Sequence, residues 1–189
     1  MVDVEKPGGL IAALLADARA TAAFRGERHE FHSRLDAAWQ LLRLAVVSDA
    51  YLAQALYRLR VAARGRRLPV LPVLLRRLTI VSAGLYVDDR AVIHPGVYVV
   101  HGQVVVDGPV EVHPGTVIAP AVTLSAGGSD GRLVIGPGTS VGTGARVLGA
   151  VRVGARARIG AGSVVLEDVP AGATAVGVPA RVTPGPAAG

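Results

Sequence analysis

At 189 residues the chain can hold one compact domain with a smaller appendage. Its 24 glycines and 12 prolines stand against two phenylalanines, four tyrosines and one tryptophan, so a core of small aliphatics repeated regularly is expected rather than a ring-filled one. The absence of cysteine excludes disulfides, thiolate metal sites and a Cys acyl-enzyme, and a net charge of +6, carried almost wholly by arginine with Lys6 the single lysine, suits an anionic ligand.

Nucleic acid is not the expected partner, because the basic runs lack interleaved aromatics for base stacking. The N-terminus "MVDVEKPGGL" begins acidic and has no basic region ahead of its apolar stretch. No signal peptide and a cytoplasmic location are therefore expected. From residue 8 to about 65 the pattern is helical. In "LDAAWQLLRLAVV" Leu35, Trp39, Leu42 and Val46 share one face, and Leu52, Leu56, Leu59 and Ala63 do so in the next helix. Ser48 and Asp49 are candidate N-caps, Gly65 a helix stop, and Arg60, Arg64, Arg66 and Arg67 read as a solvated helix end. The apolar window "LPVLPVLLRRLTIVSAGLYV" is interrupted by Pro69, Pro72 and the pair Arg76–Arg77, so no integral membrane segment is expected.

From residue 87 the period becomes six. Ile135, Val141, Val147, Val153, Ile159 and Val165 recur without a break, and Val106, Val112, Ile118 and Leu124 keep the same spacing upstream. Val87, Ile93, Val99 and Val105 form a third set, one residue out of frame, which places a slip near residue 105. Neither a helix nor a two-faced strand has this period. It fits a solenoid of short flat faces, three to a coil, with each aliphatic pointing inward.

In "VVHG", "VIAPAVTLSAGG" and "VGTGARVLGAVRVGARARIGAGSVVLEDVPAGATAVGVPARV" the chain resembles the hexapeptide-repeat acyltransferases, most of all their serine acetyltransferase branch. The resemblance covers about residues 80 to 182. It implies a mainly β fold, a left-handed parallel β-helix over residues 81–182, with a helical N-terminal region at 1–80 and a tail at 183–189. It also implies an acetyl-CoA-dependent O-acetyltransferase, assembled as a trimer or a dimer of trimers. The tail "TPGPAAG" lacks the terminal isoleucine through which relatives bind the next enzyme of cysteine synthesis, so no such complex is expected.

The five histidines separate by context. His29 and His32, three apart, would share a face on a helix, and both read as solvated. His94 and His113 each precede Pro-Gly and lie 19 residues apart, one coil plus the slip, so they are expected to stack about 4.8 Å apart on adjacent coils. Turn chemistry is their expected role. No metal site is expected, because a solenoid zinc site of the gamma-carbonic anhydrase kind needs three converging histidines and His101 falls on another face. His101 occupies the position of the family's catalytic base, which takes the proton of an attacking hydroxyl.

The family's orienting carboxylate falls on Tyr86 here, and Asp88 is the expected substitute. By the same resemblance Ala126, Gly127, Thr143 and Ala161 are expected to line the CoA groove, with Arg146 and Arg158 meeting its phosphates. Asp130 and Arg132 in "SDGRLV" are expected to contact the acceptor. The aspartate that precedes the base in serine enzymes is Val100 here, and the loop lacks a histidine. An unpaired buried ammonium costs several kcal/mol, so another hydroxyl acceptor is expected to be preferred over free serine. A sugar or amine acceptor, and a non-catalytic β-helix scaffold, are the competing readings.

Overall fold

A computed structural model describes residues 9–66, 70–100, 102–128 and 131–185. His101, Asp130 and Arg67, and the last four residues of the expected tail, lie outside the described residues. The helices are α1 (Gly9–Phe24), α2 (Arg34–Val47), α3 (Asp49–Gly65) and α4 (Leu71–Ala83). Ser33 caps α2 by accepting from Asp36 N–H, and Ser48 caps α3 by accepting from Tyr51 N–H. Pro72 sits in the first turn of α4, where its missing N–H costs nothing, and Gly84 ends that helix in the left-handed region at φ 63°. None of the described helices is long and apolar enough to cross a membrane.

The rest is a parallel β-solenoid. Its first coil carries β1 (Tyr86–Val87), β2 (Val92–Ile93) and β3 (Tyr98–Val99). The second carries β4 (Val105–Asp107), β5 (Val110–Val112) and β6 (Val117–Ile118). The third carries β7 (Thr123–Ser125), β8 (Leu133–Ile135) and β9 (Ser140–Val141), and the fourth β10 (Arg146–Leu148), β11 (Arg152–Val153) and β12 (Arg158–Ile159). After β13 (Val164–Val165), the strands β14 (Thr174–Gly177) and β15 (Ala180–Thr183) close the end as an antiparallel pair. Three sheets result: face A is β1-β4-β7-β10-β13, face B is β2-β5-β8-β11, and face C is β3-β6-β9-β12-β14 with β15 at its edge.

The six-residue period is the inward stack. Val87, Ile93, Val99, Val106, Val112, Ile118, Leu124, Ile135, Val141, Val147, Val153, Ile159 and Val165 are all buried in one core. One position differs from the sequence expectation. Val106, not Val105, takes the inward slot opposite Val87, and Val105 is half-buried opposite Tyr86. The slip therefore falls between Val99 and Val106, and the turn after β3 has one residue more than its neighbours.

In the helices, the shared apolar faces are not the faces that pack inward. The α2 stripe of Leu35, Trp39, Leu42 and Val46 is 61–84% exposed, and the helix buries Leu44 instead. In α3, Leu59 is exposed while Gln54, Tyr57, Arg58 and Arg60 are buried. The reason is what α3 covers. The first coil of a solenoid presents backbone groups with no further coil to pair them, and unpaired buried groups are costly. Gln54 donates to Val97 C=O at 2.6 Å, Tyr57 accepts from Ile93 N–H at 3.3 Å, and Arg58 donates to the carbonyls of Ile93 and His94. Arg60 donates through both terminal nitrogens to Val87 C=O, at 3.0 and 2.9 Å, so it is a buried end-cap rather than a solvated helix end. Asp17 of α1 pairs with Arg58 at 2.8 Å and accepts from Gly96 N–H at 2.9 Å, tying two helices to the first coil.

Candidate active site

Each coil turns at three corners, and the corner between faces C and A carries the expected catalytic position. Val100 N–H donates to Ile118 C=O at 2.8 Å and Gly102 N–H to Ala83 C=O at 3.3 Å, fixing the chain on both sides of residue 101. Gly102 and Gln103 are both left-handed, at φ 98° and 47°. The other corners of this column have a single such residue each, Ala121, Gly144 and Gly162. The additional left-handed residue absorbs the frame slip. The end of α4 braces this turn, and a Cβ on Gly84 would stand 2.9 Å from Gln103 N.

Below Gly102 the corners stack in register. Ala121 N–H donates to Gly102 C=O at 3.0 Å, Gly144 N–H to Pro120 C=O at 2.9 Å and Gly162 N–H to Thr143 C=O at 2.8 Å. Thr143 and Ala161, two expected donor-binding positions, are thus brought together on consecutive coils, both exposed. Gly142 lets those coils approach: a Cβ there would lie 2.6 Å from Ala161 N. Arg146 on face A and Arg158 on face C are exposed on the two sides of this corner, and neither makes an ion pair among the described residues. Ala126 and Gly127 sit at the next corner, between faces A and B. Ala126 is buried there, and Gly127 N–H donates to Ser125 Oγ at 3.3 Å.

The expected partners of the base are placed differently from one another. Tyr86, on β1 beside Val105, accepts at its hydroxyl from Arg76 at 3.0 Å, and the same guanidinium lies 4.9 Å from the ring centroid. Sequence reasoning did not single out Arg76, whose reach to Tyr86 depends on how α4 packs along the solenoid. Asp88 lies at the corner between faces A and B, where its Oδ1 accepts from Arg90 N–H at 2.9 Å and Arg90 Nε at 3.1 Å. Burial would raise the Asp88 pKa, but those two hydrogen bonds and the nearby Arg76 charge outweigh it and hold the carboxyl below its ordinary value.

Arg132 does not join the C–A corner. It donates to Glu111 Oε2 at 2.7 Å on face B. Glu111 also meets His94 Nε2 at 3.1 Å and His113 Nε2 at 3.6 Å through Oε1. The stacking of His94 on His113 is as expected from the spacing, with ring centroids 4.9 Å apart and planes 11° from parallel. The carboxylate between them was not foreseen. His29 and His32 are exposed.

A parallel solenoid of six-residue faces with a stacked, glycine-rich corner column defines a hexapeptide-repeat transferase architecture, and the bacterial transferase hexapeptide (six repeats) profile matches residues 132–167. Serine acetyltransferase of Helicobacter pylori strain J99 is 37% identical over 147 residues, spanning 76% of this chain and 84% of that protein. Serine acetyltransferase of Synechococcus elongatus is 40% identical over 121 residues, 62% of this chain, and the match spans half the length of that relative. The crystal structure of Neisseria gonorrhoeae serine acetyltransferase in complex with serine superposes with a TM-score of 0.73 at 25% identity, over 93% of this chain and 69% of that one. The chain belongs to the serine acetyltransferase family of hexapeptide-repeat proteins.

Proposed function

We propose that the protein transfers an acetyl group from acetyl-CoA to a hydroxyl of a small acceptor, with His101 as general base. The observation that carries this reading is the C–A corner column, in which the slip turn at Val100 and Gly102 stands above Thr143 and Ala161. A neutral imidazole at 101 takes the hydroxyl proton as the oxygen attacks the thioester carbonyl. The tetrahedral oxyanion then collapses, the C–S bond breaks, and the CoA sulfur leaves with the proton returned by the imidazolium. The products are an acetyl ester and free CoA thiol. Backbone along Gly142–Gly144 and Ala161–Gly162 accommodates the pantetheine arm, and the exposed Arg146 and Arg158 meet the CoA phosphates. Ala126 and Gly127 extend the groove past face A.

Asp88 is ionised at neutral pH, as a carboxylate orienting an imidazole must be. It stands beside Arg90 at the A–B corner, so its role toward His101 rests on the family resemblance, and Asp88→Asn tests that role. Acceptor choice follows from Val100, which offers no charge to an amino group, and from Arg132, which is engaged by Glu111. By the family resemblance, Asp130 contributes to acceptor recognition. A neutral or singly charged hydroxyl compound fits this site better than free serine. The whole works as a homotrimer or dimer of trimers, in the cytoplasm. A scaffold without catalysis is favoured by one feature, Tyr86 tied to Arg76 where the family has a carboxylate.

Thiol release from acetyl-CoA with serine, amino-sugar and neutral hydroxyl acceptors decides among these. Acceptor-dependent release that Arg146→Ala slows through a raised KM for acetyl-CoA is expected. No release with any acceptor supports the scaffold, and serine rates above all others overturn the acceptor assignment.

A further inference from the structure

The corner between faces B and C carries a second constellation, remote in the fold from the acetyl-transfer column. His94 follows β2 and His113 follows β5, and Glu111 projects from β5 two residues before His113. The two histidines are held by backbone: His94 N–H donates to Val112 C=O and His113 N–H to Ile135 C=O, each at 2.9 Å. Behind them, Arg58 donates to His94 C=O at 3.0 Å. All three side chains are half-buried, and one donor atom from each lies within 4.8 Å of the other two.

We infer that His94, Glu111 and His113 form a binding site for a divalent first-row transition ion of the zinc type. Two imidazoles with one carboxylate suit zinc, cobalt, nickel or iron, whereas calcium and magnesium prefer oxygen ligands alone. Ligand bonds of about 2.0–2.1 Å set donor atoms roughly 3–3.5 Å apart around one ion. The separation of 3.1 Å from Glu111 Oε1 to His94 Nε2 falls in that span, and the 3.6 Å to His113 Nε2 lies just above it. The rings must turn slightly toward each other, since parallel stacking at 4.9 Å is wider than a shared ion allows. Arg132 holds the other Glu111 oxygen at 2.7 Å, the outer-sphere anchoring by which ligating carboxylates are usually fixed. Three protein ligands leave a fourth position for water or solute. The ion bridges the first and second coils beside the helical cap, so it stabilises that junction.

The test uses the full-length protein stripped with a chelator and titrated with cobalt, then zinc. One equivalent per chain is expected, with a visible cobalt d–d spectrum that zinc displaces. Glu111→Gln and His113→Ala are each expected to weaken zinc at least tenfold, while a His29→Ala/His32→Ala variant binds as the parent does. Zinc should raise the melting temperature of the parent and not that of His113→Ala. Absence of one-equivalent binding by the parent, or binding unchanged in both Glu111→Gln and His113→Ala, overturns the site. The parent titration decides even where a variant fails to fold.

Discussion

Gly142 shows how a single residue sets the spacing of the proposed donor groove. With no side chain, it lets the third coil lie against Gly160 and Ala161 of the fourth; a Cβ there would stand 2.6 Å from Ala161 N, and backbone cannot yield as a flexible side chain does. Gly142→Ala is therefore expected to lower the melting temperature by several degrees, consistent with overpacking costs of about 1–3 kcal/mol. It should also raise KM for acetyl-CoA more than it lowers kcat, checked by steady-state kinetics beside thermal unfolding. Asp36 illustrates a local electrostatic clasp. His32 N–H and the Arg28 guanidinium donate to its carboxylate, the backbone bond being the larger cause of a pKa held below 3.8. A depressed folded pKa gives stability present above the unfolded value and lost as pH falls through the folded one. Asp36→Asn should thus unfold with a shallower acid limb below about pH 4, measured by denaturant midpoints across pH. The His94–His113 stack was readable because a 19-residue interval equals one coil plus the slip. Glu111 was not, since its partnership depends on an outward side chain reaching a neighbouring coil, which residue spacing along one chain does not encode.

At the scale of elements, α3 is the instructive case. Its leucines share one face at helical spacing, yet the buried side bears Gln54, Tyr57, Arg58 and Arg60. An apolar stripe is the right expectation for a helix that packs on side chains. The end of a solenoid offers bare carbonyls instead, and donors such as guanidinium and amide satisfy them. The Asp17–Arg58 pair is the centre of that cap, with Asp17 fully buried. Asp17→Ala would leave Arg58 charged and unpaired, with an expected loss of about 3–5 kcal/mol in urea unfolding. A loss below about 1 kcal/mol would show that the helices contribute little to the first coil. The exposed α2 stripe has a related lesson: its periodicity identified the helix, but the helix buries Leu44 on another face.

For the whole molecule, the six-residue period was decisive. It revealed the solenoid and its inward aliphatics from Val87 onward, because each coil repeats the same requirement of one small turn and one buried branched side chain. It located the slip to within a few residues, but only the pairing of Val106 with Val87 shows that the extra residue lies in the turn after β3. The same stack predicts a shared core: Ile135→Ala, at a fully buried position, should cost about 2–5 kcal/mol. The proposed chemistry depends on that turn standing over the corner column. The most direct test is acceptor-dependent thiol release from acetyl-CoA by the parent and by His101→Ala, with folding verified by circular dichroism. A general base accounts for a fall of about 10²–10⁴-fold in kcat, with KM for acetyl-CoA little changed. Activity in His101→Ala within a factor of about two of the parent would contradict the assignment of the base.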